Sequence, residues 1–205
     1  MSERLGLRQN EVCKVRKKKN KNILLELISK GLVLLFAIVM IFYSSEKIQN
    51  TMYPVKYEET ILKYSAEYNL DPFLILAVIK VESAFNETAV SNKDARGLMQ
   101  IMPTTAQWIS KKLGQEEFNE ADLFEPEKNI MLGTWYINYL IEKFNGNTEL
   151  AIMAYNAGPT SVQNWLKEGT IYEENIVVSS IPYDETANYA KKIKDAYEMY
   201  KKIYD

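Results

Sequence analysis

The nine residues from Phe73 to Val81, FLILAVIKV, constrain the fold of this chain more than any other stretch. A helix on a protein surface shows one apolar stripe, whereas a helix apolar on nearly every side has to be surrounded by the rest of its domain. Asp71-Pro72 in front of the run is an N-cap followed by proline at the first helical position, so the spacing predicts a buried helix over 72–84. Lys80 is the one charge within the run, and its long stem can carry the ammonium out to solvent. Glu82 follows Ile75, Val78 and Ile79 at i+7, i+4 and i+3, which places a carboxyl on the same face as core residues. It also lies near the helix C-terminus, where the dipole is negative. Burial and dipole both disfavour a carboxylate and push its pKa upward, as a general acid working near neutral pH requires. A glutamate in this position can also simply end a helix at solvent, so the neighbouring segments have to decide.

Those segments read as helices throughout. Apolar or aromatic residues at 57, 61, 64, 65 and 68 give a helical rhythm that stops at Asn69. A polar loop, Phe85–Gly97, follows the buried helix. Pro103 opens a helix closed by Gly114, and Pro126 opens a long one stopped by Asn145-Gly146. Thr148-Glu149 caps a helix through Asn156, broken by Gly158-Pro159. A short helix is expected over 160–168, irregular chain over 169–184, and a last helix from Glu185 to Tyr204. Alternating strands dominate nowhere, so the class is all-α or nearly so, with minimal β.

Composition prunes the chemistry. The chain has no His, and its one Cys is Cys13, outside the main domain. Ser-His-Asp and Cys-His catalysis, His-ligated zinc, disulfides and a thiol nucleophile in that domain are therefore excluded. Acid–base work falls to Glu, Asp, Tyr or Lys, and no carboxylate cluster with a recognisable metal-loop spacing appears. No metal or other cofactor is expected. Residues 1–30 hold nine Lys and Arg against three Glu, a charge of +6, while residues 31–205 hold 16 against 24, a charge of −8. An acidic main domain lacks the basic face that nucleic acid needs.

The basic segment 1–22 precedes apolar chain from Ile23 to Tyr43, including the uninterrupted GLVLLFAIVMIFY at 31–43. The whole stretch is close to the roughly 20 residues of a bilayer span. Lys30 and Glu26 sit near its start, where snorkelling is feasible. No small-x-small cleavage site follows. The expected organisation is a cytoplasmic tail over 1–22, a signal anchor over 23–43, a linker over 44–56 and the main domain over 57–205. The positive-inside rule puts that domain outside the cell membrane, and secretion after signal cleavage is the alternative.

Three further segments offer candidate ligands to go with Glu82. Arg96-Gly97-Leu98-Met99-Gln100 ends the polar loop and offers Gln100 as a hydrogen-bonder. Ala154-Tyr155-Asn156-Ala157-Gly158 puts two bonding side chains at a helix end beside a glycine. Pro182-Tyr183-Asp184-Glu185-Thr186 opens the last helix, with Tyr189 one turn on. Each could be capping or core alone; together they describe a cleft of amide, phenol and carboxyl groups suited to sugar recognition.

These strings, ESAFN at 82–86, ARGLMQIMPTTA at 95–106, AYNAG at 154–158 and IPYDETANYAKKI at 181–193, resemble the Slt-type lytic transglycosylase catalytic domain. That family is related in fold to goose-type lysozyme. The resemblance covers roughly residues 57–202 and implies a compact, helical, lysozyme-like domain acting on peptidoglycan glycan strands. Glu82 aligns with the family's single catalytic glutamate. Ser91, Gln100, Tyr155 and Glu185 fall on substrate-cleft positions, with Met99, Asn156 and Tyr189 close by. One departure is visible: the family usually carries Gly-Ala where this chain has Asp94-Ala95, so a different turn is expected through Ser91–Asp94. The reaction implied is cleavage of the β-1,4 bond between N-acetylmuramic acid and N-acetylglucosamine. Protonated Glu82 would serve the leaving oxygen and its carboxylate would then take the C6 hydroxyl proton, closing a 1,6-anhydro ring. Glu185, at a helix N-terminus, is assigned to orienting the site. Two alternatives stand beside this: a lysozyme-type muramidase in which water replaces the C6 hydroxyl, and an inactive, membrane-tethered wall-binding protein.

Overall fold

The computed structural model describes residues 30–32, 34–36, 40, 51–115, 118–173 and 180–205. The chain divides into two units, Met1–Met52 and Tyr53–Asp205. In the first, the described residues between 30 and 40 are helical, with Leu32, Leu34, Leu35, Phe36 and Met40 exposed. Among the described residues no helix is long and apolar enough to cross a membrane. The tail over 1–22 and most of the expected signal anchor over 23–43 lie outside the described residues, as does the linker over 44–50.

The second unit holds seven α-helices among its described residues: α1 Glu58–Glu67, α2 Pro72–Ser83, α3 Pro103–Lys112, α4 Pro126–Lys143, α5 Thr148–Ala157, α6 Pro159–Lys167 and α7 Asp184–Tyr204. A 3-10 turn, Glu120–Phe124, precedes α4. Four helices begin with proline in their first turn, where its missing N–H costs nothing. Asp71 caps α2 as its sequence predicts, accepting from Phe73 N. The cap of α5 falls one residue earlier than expected, with Asn147 Oδ1 accepting from Leu150 N. Among described residues, β structure is limited to isolated bridges such as Val90 with Arg96 and Arg96 with Ile101.

Helix α2 is the centre of the packing. Leu74 to Ile79 are all buried, and α2 lies chiefly along α7, with α1 on another side. The α7 residues Ala190, Ile193, Ala196 and Tyr200 face this core. Helix α5 bridges α4, α6 and α7. A run of aliphatic side chains thus becomes the axis of the domain, packed between α7 and α1.

The domain begins inside the expected spacer. Tyr53 packs edge-on against Tyr200 at 5.4 Å. Tyr200 Oη donates to Pro54 O at 3.0 Å and Tyr204 Oη to Tyr53 O at 2.7 Å. The entering segment is therefore held against the end of α7.

Candidate active site

Glu82 occupies the last turn of α2. Immediately after it, Ala84 and Phe85 both adopt left-handed backbone, with φ of 50° and 64°. Non-glycine residues rarely do this, and two in succession swing the chain sharply away from the helix end. Phe85 is buried, which anchors the turn. The Glu82 side chain is left at the edge of the core with little solvent around it. Burial lifts its carboxyl to about 7 from an ordinary 4.5, against the pull of a hydrogen bond from Tyr189. The upward shift matches the sequence expectation, and desolvation is its cause.

Two tyrosines enclose the carboxyl. Tyr189 Oη donates to Glu82 Oε1 at 2.7 Å from α7. Tyr155 Oη, from α5, donates to Met99 O at 2.7 Å. Both phenols are driven well above their usual range, first by burial and then by the Glu82 charge, so both remain hydroxyl donors. Near them Thr186 Oγ1 donates to Asn156 Oδ1 at 2.8 Å, tying the end of α5 to the first turn of α7. Glu82, Met99, Tyr155, Asn156 and Tyr189 thus belong to one region, built from α2, the 97–101 turn, α5 and α7.

The remaining expected residues serve the loop first. Ser91 Oγ accepts from Lys93 N at 3.2 Å and Ala95 N at 3.0 Å. Gln100 Nε2 donates to Ala89 O at 3.1 Å and Gly97 O at 2.9 Å, leaving its Oε1 as the acceptor. The Met99 side chain is fully buried, and the residue reaches the site through its carbonyl. Glu185 stands at the exposed rim, where Lys93 Nζ meets it at 3.4 Å. Asp94 has φ of 64°, the conformation that glycine adopts freely and that aspartate tolerates better than most residues. The turn is therefore accommodated in place, and Asp94 gains a two-pronged contact with Arg96, Nε to Oδ1 at 3.0 Å and Nη2 to Oδ2 at 3.1 Å.

Sequence reasoning missed Asn129. It lies fully buried on α4, accepts from Met99 N at 2.7 Å, and donates to Arg96 O at 3.0 Å and Leu123 O at 2.8 Å. One side chain thereby satisfies three buried backbone groups and fixes the Gly97–Met99 turn. Gly97 shares this crowding: its φ is 76°, and a Cβ there would overlap the Leu123 carbonyl and the Asn129 amide. Among the described residues no group of three or more His, Cys, Asp or Glu side chains gathers as a metal ion would need.

The architecture is a helical, lysozyme-like domain organised around one half-buried carboxyl with a raised pKa. Residues 59–177 match the transglycosylase SLT domain, and the chain belongs to that family. It is 35% identical over 150 residues to the soluble lytic murein transglycosylase of Salmonella typhimurium, covering 72% of this chain and 23% of that one. It is 34% identical over 173 residues to the membrane-bound lytic murein transglycosylase C of Edwardsiella ictaluri, covering 72% and 47%. The structure resembles the 70 kDa soluble lytic transglycosylase of Escherichia coli, with a TM-score of 0.67 and 31% identity over 73% of this chain and 25% of that one. The complex of the 70 kDa soluble lytic transglycosylase with bulgecin A gives 0.68 and 32%, over 75% and 25%. The chain thus spans about a quarter of the length of these soluble relatives.

Proposed function

We propose that this protein is a peptidoglycan lytic transglycosylase. It cleaves the β-1,4 bond between N-acetylmuramic acid and N-acetylglucosamine and leaves a 1,6-anhydromuramoyl end. The observation that carries this reading is Glu82: one carboxyl, desolvated to a pKa of about 7, held by Tyr189 at 2.7 Å. Near neutral pH a large fraction of it is protonated and can give its proton to the glycosidic oxygen as positive charge develops on the sugar. The carboxylate left behind then accepts the proton of the muramoyl C6 hydroxyl, whose oxygen attacks C1 and closes the ring. One group serves in both directions, because the substrate supplies its own nucleophile.

Tyr189 orients the carboxyl and stabilises its ionised form for the second half of the reaction. Gln100 Oε1, the Tyr155 hydroxyl and Asn156 hold the sugars and their N-acetyl groups. Met99 contributes by fixing Tyr155 through its carbonyl, and Ser91 by shaping the loop. Glu185 orients substrate at the rim. The domain boundaries at 22, 43 and 56 belong to the same proposal, with the last shifted to 52 by the docking of Tyr53. The basic run at 14–21 and the apolar run at 31–43 support a single-pass membrane anchor holding the domain toward the wall, where proximity raises the effective concentration of its polymeric substrate.

The test is digestion of purified sacculi with the full chain, followed by mass spectrometry of the muropeptides. Products carrying the anhydro ring are expected; products one water heavier would make the enzyme a muramidase, and no release at all would leave a wall-binding protein. Fractionation of cells expressing the full chain tests the anchor: recovery in the soluble fraction would remove it.

A further inference from the structure

A cavity of about 950 Å³ opens between α7 and the α4–α5 pair, and the site described above makes no use of it. Its volume lies at the upper end of the roughly 300–1,000 Å³ typical of small-ligand sites. At one end it reaches Leu74 on α2, eight residues before Glu82 and so about 12 Å back along that helix. On α5 it is lined by Ile152, one turn before Tyr155, and on α7 by Ala190 and the residues that follow it. The cavity is set back from the reacting carboxyl while resting on the same three helices.

Its floor is aliphatic, made by Leu70, Leu74, Ile141, Ile152 and Ile193. Its edges are charged, and with both signs. Lys191, Lys194 and Asp195 stand exposed along α7, and Glu149 stands exposed at the start of α5. None of the four takes part in an ion pair or a side-chain hydrogen bond among the described residues. Elsewhere on the domain opposite charges close into pairs, as Lys63 does with Glu127 and Lys128 with Asp122, each at 2.8 Å. Asp71, at the end of the cavity, is already engaged: Oδ1 caps α2 and Oδ2 accepts from Tyr197 Oη at 2.7 Å. Unpaired cations and anions above one apolar floor complement a ligand that carries both carboxylate and ammonium groups. A polyanion would meet Glu149 and Asp195, and a neutral sugar would leave all four charges idle. A short zwitterionic peptide with small side chains meets the edges and the floor together. The α7 edge from Ala190 to Tyr197 is about 10 Å long, the reach of about three extended residues. Peptidoglycan carries such peptides on its muramoyl residues: alanine, γ-linked D-glutamate, a diamino acid and D-alanine.

We propose that this cavity binds a stem peptide of the wall, at a site separate from the one that cuts the glycan. The proposal rests on the peptidoglycan reading of Glu82, which supplies the ligand. The test is calorimetric titration of the free tetrapeptide L-Ala-γ-D-Glu-L-Lys-D-Ala into the full chain, with saturable one-to-one binding expected. Lys191→Glu combined with Lys194→Glu should weaken it about tenfold, since each exposed charge contact contributes up to about fivefold. Thr148→Trp, which plugs the cavity from an exposed position and leaves the Asn147 cap in place, should weaken it at least as much. Both variants should digest peptide-free glycan strands as the wild type does. No binding by the wild type at millimolar peptide, or binding that either variant leaves unchanged, would overturn the site. Equal affinity for the same peptide with its carboxylates amidated would overturn it too. Failure of the parent reading gives a different pattern. Digestion of sacculi without peptide binding keeps the transglycosylase and removes the site. Peptide binding that depends on Lys191 and Lys194, without digestion, keeps the site and leaves a wall-binding protein.

Discussion

The floor and the rim of the Glu82 site are built on opposite physical terms. The floor is α2 and α7, regular helices whose side chains meet in a nearly dry interior, and there a single hydrogen bond of 2.7 Å holds the carboxyl. The rim is the 86–100 loop, held by short backbone bonds, left-handed residues at 94, 97 and 100, and exposed ion pairs such as Lys93 with Glu185. Desolvation sets the chemistry of the floor, since removing water is what raises the pKa of Glu82. Exposed pairs on the rim are screened and contribute little each, so the rim owes its shape to backbone geometry and to Asn129 beneath it. Substitutions in the two regions should therefore fail differently.

The largest effect is expected from Glu82→Gln. It should lower release of muropeptides by on the order of 10³-fold, since it removes the proton donor and keeps the shape. The same variant tests the desolvation account. A raised carboxyl contributes stability that is fully present below its ordinary pKa of 4.5 and is lost as pH rises through about 7. Glu82→Gln should accordingly be more stable than the wild type in denaturant melts at pH 8 and should lose that advantage at pH 4. If the two proteins melt alike at both pH values, the floor is not dry.

Asn129→Ala comes next and addresses the rim. It leaves Met99 N and Leu123 O buried without the Asn129 side chain and Arg96 O with only its bond from Ile101 N, a cost of about 3 kcal/mol by chemical denaturation. A loss below about 1 kcal/mol would show that the turn is fixed by its backbone alone. Tyr189→Phe should lower activity about tenfold while leaving the protein folded, the size expected when a hydrogen bond to a charged group is lost. Because that bond favours the ionised form, its loss raises the pKa of Glu82 further. The fall of activity on the alkaline side should move to higher pH, and movement to lower pH would contradict the geometry. The smallest change is expected for Asp94→Gly. Glycine takes the same left-handed backbone and only the exposed contact with Arg96 is lost, so sacculus digestion should change no more than about twofold.

The helical floor was legible because its signals are local. Asp71-Pro72, Pro103, Pro126 and Gly158-Pro159 mark helix starts, and the apolar run 73–81 demands burial whatever surrounds it. Glu82 was legible as a carboxyl on a core face. The rim was not, because its bonds join residues distant in sequence. Asn129 reads as one more polar residue on a long helix, and only the approach of Met99 and Arg96 from 30 and 33 residues away shows what it does. Ser91 and Gln100 read as candidate site residues, but that their side chains close their own loop depends on a turn no periodicity describes. The short turn Glu120–Phe124 escaped notice for a similar reason: three acidic residues in EADLFE look like solvated chain until Leu123 is seen fully buried.

The clasp that Tyr200 and Tyr204 make on Tyr53 and Pro54 brings the start and the end of the folded unit to the same spot. Neighbouring ends are what a module needs to be spliced into a loop of another protein, or to have its ends joined and reopened elsewhere, without stretching its interior. The same arrangement makes the final turn of α7 a poor place to trim. Removing Tyr204 would leave the entering segment held by Tyr200 alone, while the Glu82 floor, toward the other end of that helix, would remain assembled.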